Sequence, residues 1–292
     1  MSKKKNFDNR PGSIWLDGRF IKWNKAQIHV LSHGLHYGSC VFEGARIYNG
    51  KIFKLNEHTK RLFLSSKILG FKLPFSEKQI NQACKQLIKK QKIKNGYLRP
   101  FAWRGSEMMA ISAQNTTIHV AIATWEMSTY FDQKKKLTGI KLKTSKWMRP
   151  PSNTAPVQAK AAGLYMICTL SKHTAEKKGF DDSLMLDSKG YVAEATGANI
   201  FFVKNNKLYT PIADCFLNGI TRQTVIQLAK KNKIKVVEKK ILPKEIIKAD
   251  EVFLTGTAVE ITPISQIDNK KFKVGVMTQK LISLFDSLVE SN

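Results

Sequence analysis

The sequence contains few cysteines and no long hydrophobic run. The four cysteines among its 292 residues are Cys40, Cys84, Cys168 and Cys215, and no two of them form a C-x-x-C pair. This spacing argues against a zinc site or a disulfide framework and favours a reducing, cytoplasmic compartment. No apolar run approaches the roughly 18 residues of a membrane-spanning helix, and the basic, polar N-terminus does not resemble a secretory signal. We therefore expect no metal, no membrane association and a cytoplasmic location.

Acidic residues are also scarce, because 22 aspartates and glutamates stand against 49 lysines and arginines, a net charge of +27. Such an excess is typical of proteins that bind nucleic acid or membrane surfaces. The lysines are spread along the whole chain, however, and their densest clusters, at residues 3–5, 134–136, 230–235 and 239–240, lack interleaved aromatic residues. We therefore expect a solvated positive surface that favours anionic small substrates, with no nucleic-acid partner.

The chain contains neither an internal repeat nor a G-x-G-x-x-G motif after a strand, so a dinucleotide-binding protein is not indicated. Predicted hairpins and helices mix without strict β-α-β alternation. This mixture favours a two-domain α+β protein over a doubly wound parallel sheet, and the length is sufficient for two domains. We predict a flexible N-terminal arm over residues 1–12, a small N-terminal domain over 13–130, a linker over 131–138 and a larger domain over 139–292.

Several local patterns predict individual elements. Residues 13–16 and 20–23 flank Asp17-Gly18 and indicate a β-hairpin. The SEKQ sequence at residues 76–79 is a capping box that begins a helix. Pro100 lies within a strand-like run, which predicts that this strand is at a sheet edge or carries a bulge. Thr221, in the GITR sequence at 219–222, is the predicted N-cap of a helix.

Lys160 is the first candidate for chemistry. It lies in the sequence PVQAKAAG (residues 156–163), among small apolar residues, whereas most lysines of this chain have polar or charged neighbours. An arbitrary lysine is usually solvent-exposed. The alternative is a desolvated amine, because burial favours the neutral form of an amine, and a neutral amine forms a Schiff base with an aldehyde.

Three further segments could hold an aldehyde cofactor. Glu194 is the only charged residue in YVAEATGAN (residues 191–199) and lies either at an exposed turn or buried beside a positive partner such as a pyridinium nitrogen. The predicted helix start at 219–222 offers free N–H groups to a phosphate. The TGTA turn at 255–258 offers backbone N–H groups and hydroxyls to a phosphate or carboxylate. Taken singly, the last two are ordinary features of a helix start and a turn.

Taken together, these segments occur in a characteristic order. The second half contains the motifs at residues 160–165, 190–201, 217–222 and 253–263, and the first half contains those at 32–44, 57–62 and 96–100. From about Ile14 to the C-terminus, the chain resembles the branched-chain aminotransferases of pyridoxal-phosphate (PLP) fold type IV. The resemblance implies a small N-terminal α/β domain and a larger C-terminal domain with a β-barrel-like core, PLP as cofactor, and no metal.

The resemblance also implies a role for each matching residue. Lys160 would carry the cofactor and move the proton, Tyr165 would bond to the ring 3-oxygen, and Glu194 would hold the pyridine nitrogen. The implied phosphate ligands are Arg61, Ile220, Thr221 and Thr257. The implied substrate-binding residues are Phe42, Tyr97 and Trp125 for the alkyl group, Thr257 and Ala258 for the α-carboxylate, and Arg99, Tyr130 and Tyr37 of the partner subunit for the second carboxylate of glutamate.

The activity that the resemblance implies is ping-pong transamination between L-leucine, L-isoleucine or L-valine and 2-oxoglutarate in a homo-oligomer that is at least a dimer. The segment from Trp125 to Tyr130 differs in spacing from the Trp-Gly-x-Tyr form of enterobacterial members. D-amino-acid aminotransferase and aminodeoxychorismate lyase share the implied fold. The sequences YLR at residues 97–99 and GTA at 256–258 favour the branched-chain members over these two.

Overall fold

The computed structural model describes residues 6–291, and of Gln133 the backbone only. The chain divides into two compact units. Unit 1 comprises the described residues up to Ser128 together with Ala159–Gly163, and unit 2 comprises Thr129–Gln158 and the described residues from Leu164 onward. Residues 1–5 of the predicted arm, with their lysine cluster, and residue 292 of the predicted large domain lie outside the described residues.

Unit 1 is built on a seven-stranded sheet. Its elements are β1 (Ser13–Leu16), β2 (Arg19–Lys22), a 3-10 helix (Trp23–Lys25), α1 (His33–Tyr37), β3 (Cys40–Phe42), β4 (Ala45–Tyr48), β5 (Lys51–Ile52), α2 (Leu55–Ile68), α3 (Glu77–Lys90), β6 (Gly96–Arg104) and β7 (Ile118–Glu126). The strand order is β2-β1-β7-β6-β4-β5, and β3 also pairs with β6. The antiparallel β1–β2 pair confirms the predicted hairpin.

Helix α3 begins at the predicted capping box. The Ser76 hydroxyl accepts a hydrogen bond from the Gln79 backbone N–H at 3.3 Å, and the Gln79 side-chain oxygen accepts one from the Ser76 N–H at 2.8 Å. These two bonds satisfy N–H groups that have no partner within the helix. The helix buries side chains spaced three and four residues apart, namely Ile80, Ala83, Cys84, Leu87 and Ile88, in the core of unit 1. The predicted helix start is therefore confirmed.

The strand containing Pro100 was predicted to be at a sheet edge or to carry a bulge. The edge alternative was wrong, and the register of β6 with β7 is regular through Pro100. Strand β6 is central, because it pairs with β7 on one side and with β3 and β4 on the other. The Pro100 carbonyl accepts a hydrogen bond from the Glu43 N–H at 2.7 Å. In an antiparallel strand the N–H and C=O of one residue point to the same side, so the missing N–H of Pro100 faces the interruption between β3 and β4. A proline fits there because it removes no bond from either ladder.

Unit 2 contains a closed barrel of six strands. Its elements are α4 (Gln133–Thr138), β8 (Ile140–Thr144), α5 (Met166–Lys177), β9 (Asp182–Leu186), β10 (Val192–Ala195), β11 (Asn199–Lys204), β12 (Lys207–Pro211), α6 (Ile220–Lys231), β13 (Val236–Lys239), α7 (Pro243–Ile247), β14 (Glu251–Gly256), β15 (Glu260–Ile267), β16 (Lys270–Lys271) and α8 (Val276–Glu290). The ring order is β10-β9-β8-β15-β14-β11, and it closes where Glu194 of β10 pairs with Asn199 of β11. Closure leaves the ring without free edges, and the predicted α+β fold with a barrel-like core is confirmed.

The segment predicted as a linker contains α4. The Asp132 side chain accepts a hydrogen bond from the Lys135 N–H at 2.8 Å and so caps the helix. The polar sequence of this helix gave no apolar period, and so it was not predicted. Because the structure assigns residues from Thr129 onward to unit 2, the residues around this helix belong to that unit. The division at 13–130 and 139–292 itself stays a prediction.

Candidate active site

The structure distributes the predicted site residues over both units. Those in unit 1 are Tyr37, Phe42, Arg61, Tyr97, Arg99, Trp125 and Lys160, and those in unit 2 are Tyr130, Tyr165, Glu194, Ile220, Thr221, Thr257 and Ala258. The geometry within each unit shows which of these residues are in contact.

Lys160 is half-buried and has a fixed backbone. Its N–H donates a hydrogen bond to the Ser65 hydroxyl at 2.9 Å, and its carbonyl accepts one from the Phe42 N–H at 3.1 Å. The next residue, Ala161, forms a β-bridge with Val41. The Lys160 Nζ atom lies 4.8 Å from the centroid of the Phe42 ring. The amine is therefore attached to a rigid backbone beside an aromatic ring.

Arg61 belongs to a group of three charged or polar side chains, of which the other two, Glu43 and His58, are buried. Arg61 donates two hydrogen bonds to Glu43, Nε to Oε1 at 2.6 Å and one NH2 nitrogen to Oε2 at 3.0 Å. His58 Nδ1 lies 2.7 Å from the same Oε2 atom. Burial alone would raise the pKa of Glu43, but Arg61 and His58 lower this pKa well below its usual range. Burial lowers the pKa of His58, against the opposing effect of Glu43, so the group consists of a carboxylate, a guanidinium and a neutral imidazole.

The predicted substrate residues of unit 1 form a continuous row of contacts. The Tyr97 and Trp125 rings lie 5.2 Å apart, and the Arg99 guanidinium lies 5.4 Å from the Tyr97 ring and 4.8 Å from the Phe42 ring. The row depends on Gly44, because a Cβ atom there would come within 1.8 Å of the Tyr97 hydroxyl. We call Phe42, Tyr97, Arg99 and Trp125 the aromatic wall.

Arg99 is the only charged member of the aromatic wall. Its Nε atom is buried and has no hydrogen-bond partner, and no carboxylate among the described residues forms an ion pair with its guanidinium. A buried polar atom without a hydrogen-bond partner is costly. The wall therefore offers an apolar surface together with a cation that can donate two hydrogen bonds to a carboxylate.

In unit 2, Glu194 lies buried at the point where the barrel closes. Its Oε2 atom accepts a hydrogen bond from the Asn199 side-chain amide at 3.1 Å. Arg149 Nε lies 3.4 Å from the Glu194 Oε1 atom, which is within ion-pair distance but without the alignment of a hydrogen bond. Of the two interpretations of the sequence, the structure supports the buried carboxylate with a positive neighbour.

Asn199 also contacts the segment that leads into α6. Its amide donates a hydrogen bond to the Leu217 carbonyl at 3.1 Å, and its oxygen accepts one from the Gly219 N–H at 3.2 Å. Gly219 is the N-cap of α6 and makes no side-chain cap bond, so the prediction that Thr221 is the N-cap was wrong. Ile220 and Thr221 are the first two residues of the helix, and their backbone N–H groups have no acceptor within it.

The remaining predicted residues of unit 2 lie near turns. Thr257 and Ala258 are half-buried between β14 and β15, whose ladder continues to the pair Gly256 and Glu260. Tyr165 ends a 3-10 helix over Ala162–Tyr165 and is the N-cap residue of α5. Tyr130 is 49% exposed, and its ring lies 5.0 Å from that of Phe131.

Tyr37 does not belong to the aromatic wall of its own unit. It ends the five-residue helix α1, and its ring stacks on His33 at 4.5 Å. Its side chain is 43% exposed. Within one chain, Tyr37 therefore contacts His33, and the structure leaves a large part of its ring open to solvent.

The described residues also bear on metal and thiol chemistry. Among them, no three His, Cys, Asp or Glu side chains lie close enough together to hold a metal ion. None of the helices that the structure describes is long and apolar enough to cross a membrane. All four cysteines are free thiols, and burial raises the pKa of Cys84 to about 12 and that of Cys40 to about 11. These thiols therefore stay protonated at neutral pH.

Comparison with known proteins identifies the family. The family model described as amino-transferase class IV matches residues 40–267. The chain belongs to this family. The branched-chain-amino-acid aminotransferase of Pseudomonas aeruginosa is 41% identical over 96% of this chain and 94% of its own, and the probable branched-chain-amino-acid aminotransferase of Rickettsia bellii is 44% identical over 91% and 92%. The crystal structure of the T.th. branched-chain amino acid aminotransferase complexed with N-(5'-phosphopyridoxyl)-L-glutamate is 36% identical, covers 97% of this chain and 95% of its own, and has a TM-score of 0.92.

Sequence reasoning missed several residues that the structure places at the candidate site of this class IV aminotransferase. Glu43 accepts hydrogen bonds from Arg61 and contacts His58, and Asn199 and Arg149 contact Glu194. Glu43, His58 and Asn199 lie within the motifs that carried the resemblance, so the motifs could have suggested a role for each of them. Arg149 lies outside these motifs, between Met148 and Pro150, and no signal in the sequence marked it.

Proposed function

We propose that this class IV aminotransferase is a PLP-dependent branched-chain-amino-acid aminotransferase, which transfers the amino group between L-leucine, L-isoleucine or L-valine and 2-oxoglutarate. The observation that carries the proposal is the aromatic wall with Arg99 as its only charge. Its rings suit a branched alkyl group, and its guanidinium suits the second carboxylate of glutamate. The names of the Pseudomonas and Rickettsia relatives agree with this substrate class.

The residues present are chemically suited to the cofactor. We propose that the Lys160 amine binds its aldehyde carbon and that the Tyr165 hydroxyl binds its ring 3-oxygen. The Glu194 carboxylate would hold the ring nitrogen, because a buried carboxylate stabilises a proton on that atom. The phosphate would be bound by Arg61, by Thr257 and by the free N–H groups of Ile220 and Thr221 at the positive end of α6. The phosphopyridoxyl ligand of the T.th. enzyme supports this assignment.

The proposed chemistry moves one proton. Bound PLP supplies an electron-accepting ring that stabilises the negative charge left on the substrate Cα atom. Once the amino group of the substrate has displaced it from the cofactor, the freed Lys160 amine would take the proton from the substrate Cα atom and hold it for return. Its fixed backbone keeps the amine on one face of the substrate, which the proton transfer needs. Thr257 and Ala258 would hold the α-carboxylate and so orient the Cα–H bond.

The site must accept two kinds of side chain in turn. A leucine side chain would lie against Phe42, Tyr97 and Trp125. The glutamate carboxylate would turn to Arg99, with Tyr130 and Tyr37 of the partner subunit as further donors. The exposure of Tyr37 supports a role outside its own chain. We therefore propose a homo-oligomer, at least a dimer, and, from its free thiols, a cytoplasmic location.

The proposal is tested with the purified protein reconstituted with PLP. We expect a yellow protein whose absorption band shifts on addition of L-leucine and which converts L-leucine and 2-oxoglutarate to glutamate, with D-alanine inactive. Lys160→Ala should abolish turnover, and the exposed Lys189→Ala should leave it unchanged. A colourless reconstituted protein, or a Lys160→Ala variant with undiminished turnover, would refute the proposal. Activity with D-alanine instead of L-leucine would identify the other transaminase of this fold.

A further inference from the structure

Residues 6–12, within the segment predicted to be a flexible arm, make specific contacts with unit 1. The Trp23 indole N–H donates a hydrogen bond to the Phe7 carbonyl at 2.6 Å, and the Trp23 backbone N–H donates one to the Gly12 carbonyl at 3.1 Å. The Arg10 guanidinium lies 3.9 Å from the centroid of the Phe7 ring. Gly12 has φ = +107°, and a Cβ atom there would lie 2.0 Å from the Gln91 side chain. This segment therefore holds the Phe7 ring in a defined position.

The Phe7 ring extends the aromatic wall outward. It packs against Trp125 with a centroid separation of 5.2 Å and an interplanar angle of 84°, an edge-to-face arrangement that aromatic pairs favour. Trp125 in turn contacts Tyr97 at 5.2 Å, and Tyr97 contacts Arg99. Trp125 is thus held between Tyr97 of the wall and Phe7 of the N-terminal segment.

A cavity of about 480 Å³ lies beside Trp125. Its lining includes Trp125 itself, Arg10 and Pro11 of the N-terminal segment, and Gln91 at the end of α3. A well-packed interior would prevent the Trp125 indole from moving. The cavity instead leaves empty space next to this ring. The contact with Phe7 therefore helps to keep the Trp125 ring from moving toward this cavity.

We propose that Phe7 is a specificity-determining positioning residue, which acts through Trp125 to set the size of the alkyl-binding surface. The inference rests on the proposed function, because it takes Trp125 as part of the substrate wall. With Phe7 present, Trp125 stays against Tyr97 and the surface fits a short branched side chain. Without the Phe7 ring, Trp125 can move toward the cavity, and the surface then accepts a bulkier amino acid.

The test compares kcat/KM of the holoenzyme for L-valine and L-phenylalanine with 2-oxoglutarate as acceptor. In Phe7→Ala, the ratio of L-phenylalanine to L-valine should rise by about tenfold, the order of discrimination that a change of pocket size produces. The change should appear in KM more than in kcat, and the yellow absorbance of the bound cofactor should remain. Phe7→Tyr keeps the ring and should restore the wild-type ratio. Because Phe7 is 48% exposed, its truncation should leave the fold intact.

Two further variants isolate the contact. Phe20→Ala removes another partly exposed phenylalanine of unit 1, one that lies over Lys90 and not against Trp125, and should leave the ratio unchanged. In a Trp125→Phe background, Phe7→Ala should have little further effect. A Phe7→Ala ratio within twofold of wild type, in an enzyme that transaminates L-leucine, would overturn the inference alone. A wild-type protein inactive toward L-leucine would overturn the proposed function and the inference together.

Discussion

Arg99 is the residue on which the proposed acceptance of both leucine and glutamate would depend. Its guanidinium lies against the Phe42 and Tyr97 rings without a carboxylate partner among the described residues. We predict that Arg99→Ala raises KM for glutamate by about 10- to 100-fold, since a hydrogen bond to a charged group is worth roughly 1.5–3 kcal/mol, and changes KM for L-leucine much less. Arg99→Lys keeps the charge without the bidentate geometry and should lie between the two. Steady-state kinetics with glutamate and with L-leucine as amino donors measure both KM values. Equal changes in the two would show that Arg99 does not bind the second carboxylate of glutamate.

Glu43, which sequence reasoning missed, should have a large effect on stability. It is fully buried, and it accepts hydrogen bonds from Arg61 and interacts with His58. Glu43→Gln leaves a buried guanidinium without its counterion, and breaking such a pair costs about 3–5 kcal/mol. Urea denaturation at pH 7 measures this loss. The exposed Glu57→Gln, whose pair with Lys54 lies at the surface, is the control and should change stability by less than about 1 kcal/mol.

The effect of Glu43 on stability should depend on pH in a defined direction. Against the opposing effect of burial, Arg61 and His58 lower the pKa of Glu43 in the folded protein. The stabilisation from its ionised form is therefore complete above the unfolded-state pKa, about 4.3 for glutamate, and is lost as the pH falls toward the lower, folded-state value. The difference in unfolding free energy between wild type and Glu43→Gln should shrink below about pH 4. A difference that stays constant through that range would show that Glu43 does not stabilise the fold by its charge.

The start of helix α6 is the element that connects the proposed phosphate site with Glu194. The connection is Asn199, which contacts both Glu194 and the Gly219 N–H. A Cβ atom at Gly219 would lie 2.2 Å from the Asn199 oxygen, so Gly219→Ala should displace the Asn199 side chain and the helix start together. We predict that Gly219→Ala weakens PLP binding by about tenfold, or about 1.4 kcal/mol. Titration of the apoprotein with PLP measures the dissociation constant. An unchanged value would show that Asn199 does not link the helix start to cofactor binding.

Elements whose cause is local could be predicted from the sequence, whereas those that depend on distant residues could not. The capping box at Ser76 and the hairpin at Asp17-Gly18 each lie within a few residues, and both were predicted correctly. Pro100 was predicted to mark an edge or a bulge. Its place in a central strand could not be predicted, because it depends on an interruption near Glu43, 57 residues earlier in the chain. The same holds for the candidate site. The motifs indicated Lys160 and Glu194, but their partners Ser65 and Arg149 come from other segments.

At the scale of the whole molecule, the exposed apolar side chains of unit 1 form a candidate interface for the proposed homo-oligomer. Five large side chains lie exposed between residues 28 and 37, namely Ile28, Val30, Leu31, Leu35 and Tyr37. Apolar surface concentrated in this way is typical of an interface between proteins. The segment includes Tyr37, which the proposed function assigns to the site of a partner subunit. One surface would therefore serve both assembly and catalysis.

The last prediction tests both roles of this surface, assembly and catalysis, and each can be disproved separately. Leu35 is 61% exposed, so Leu35→Glu should leave the chain folded while placing a charge in the proposed interface. We expect light scattering to show a shift toward the monomer mass, with transamination falling in parallel because Tyr37 no longer reaches a second site. Val276→Glu, at an 80% exposed position in α8 of unit 2, is the matched control and should keep both mass and activity. A Leu35→Glu protein with the wild-type mass would place the interface elsewhere. A fully active monomer would instead show that Tyr37 works within its own chain or not at all.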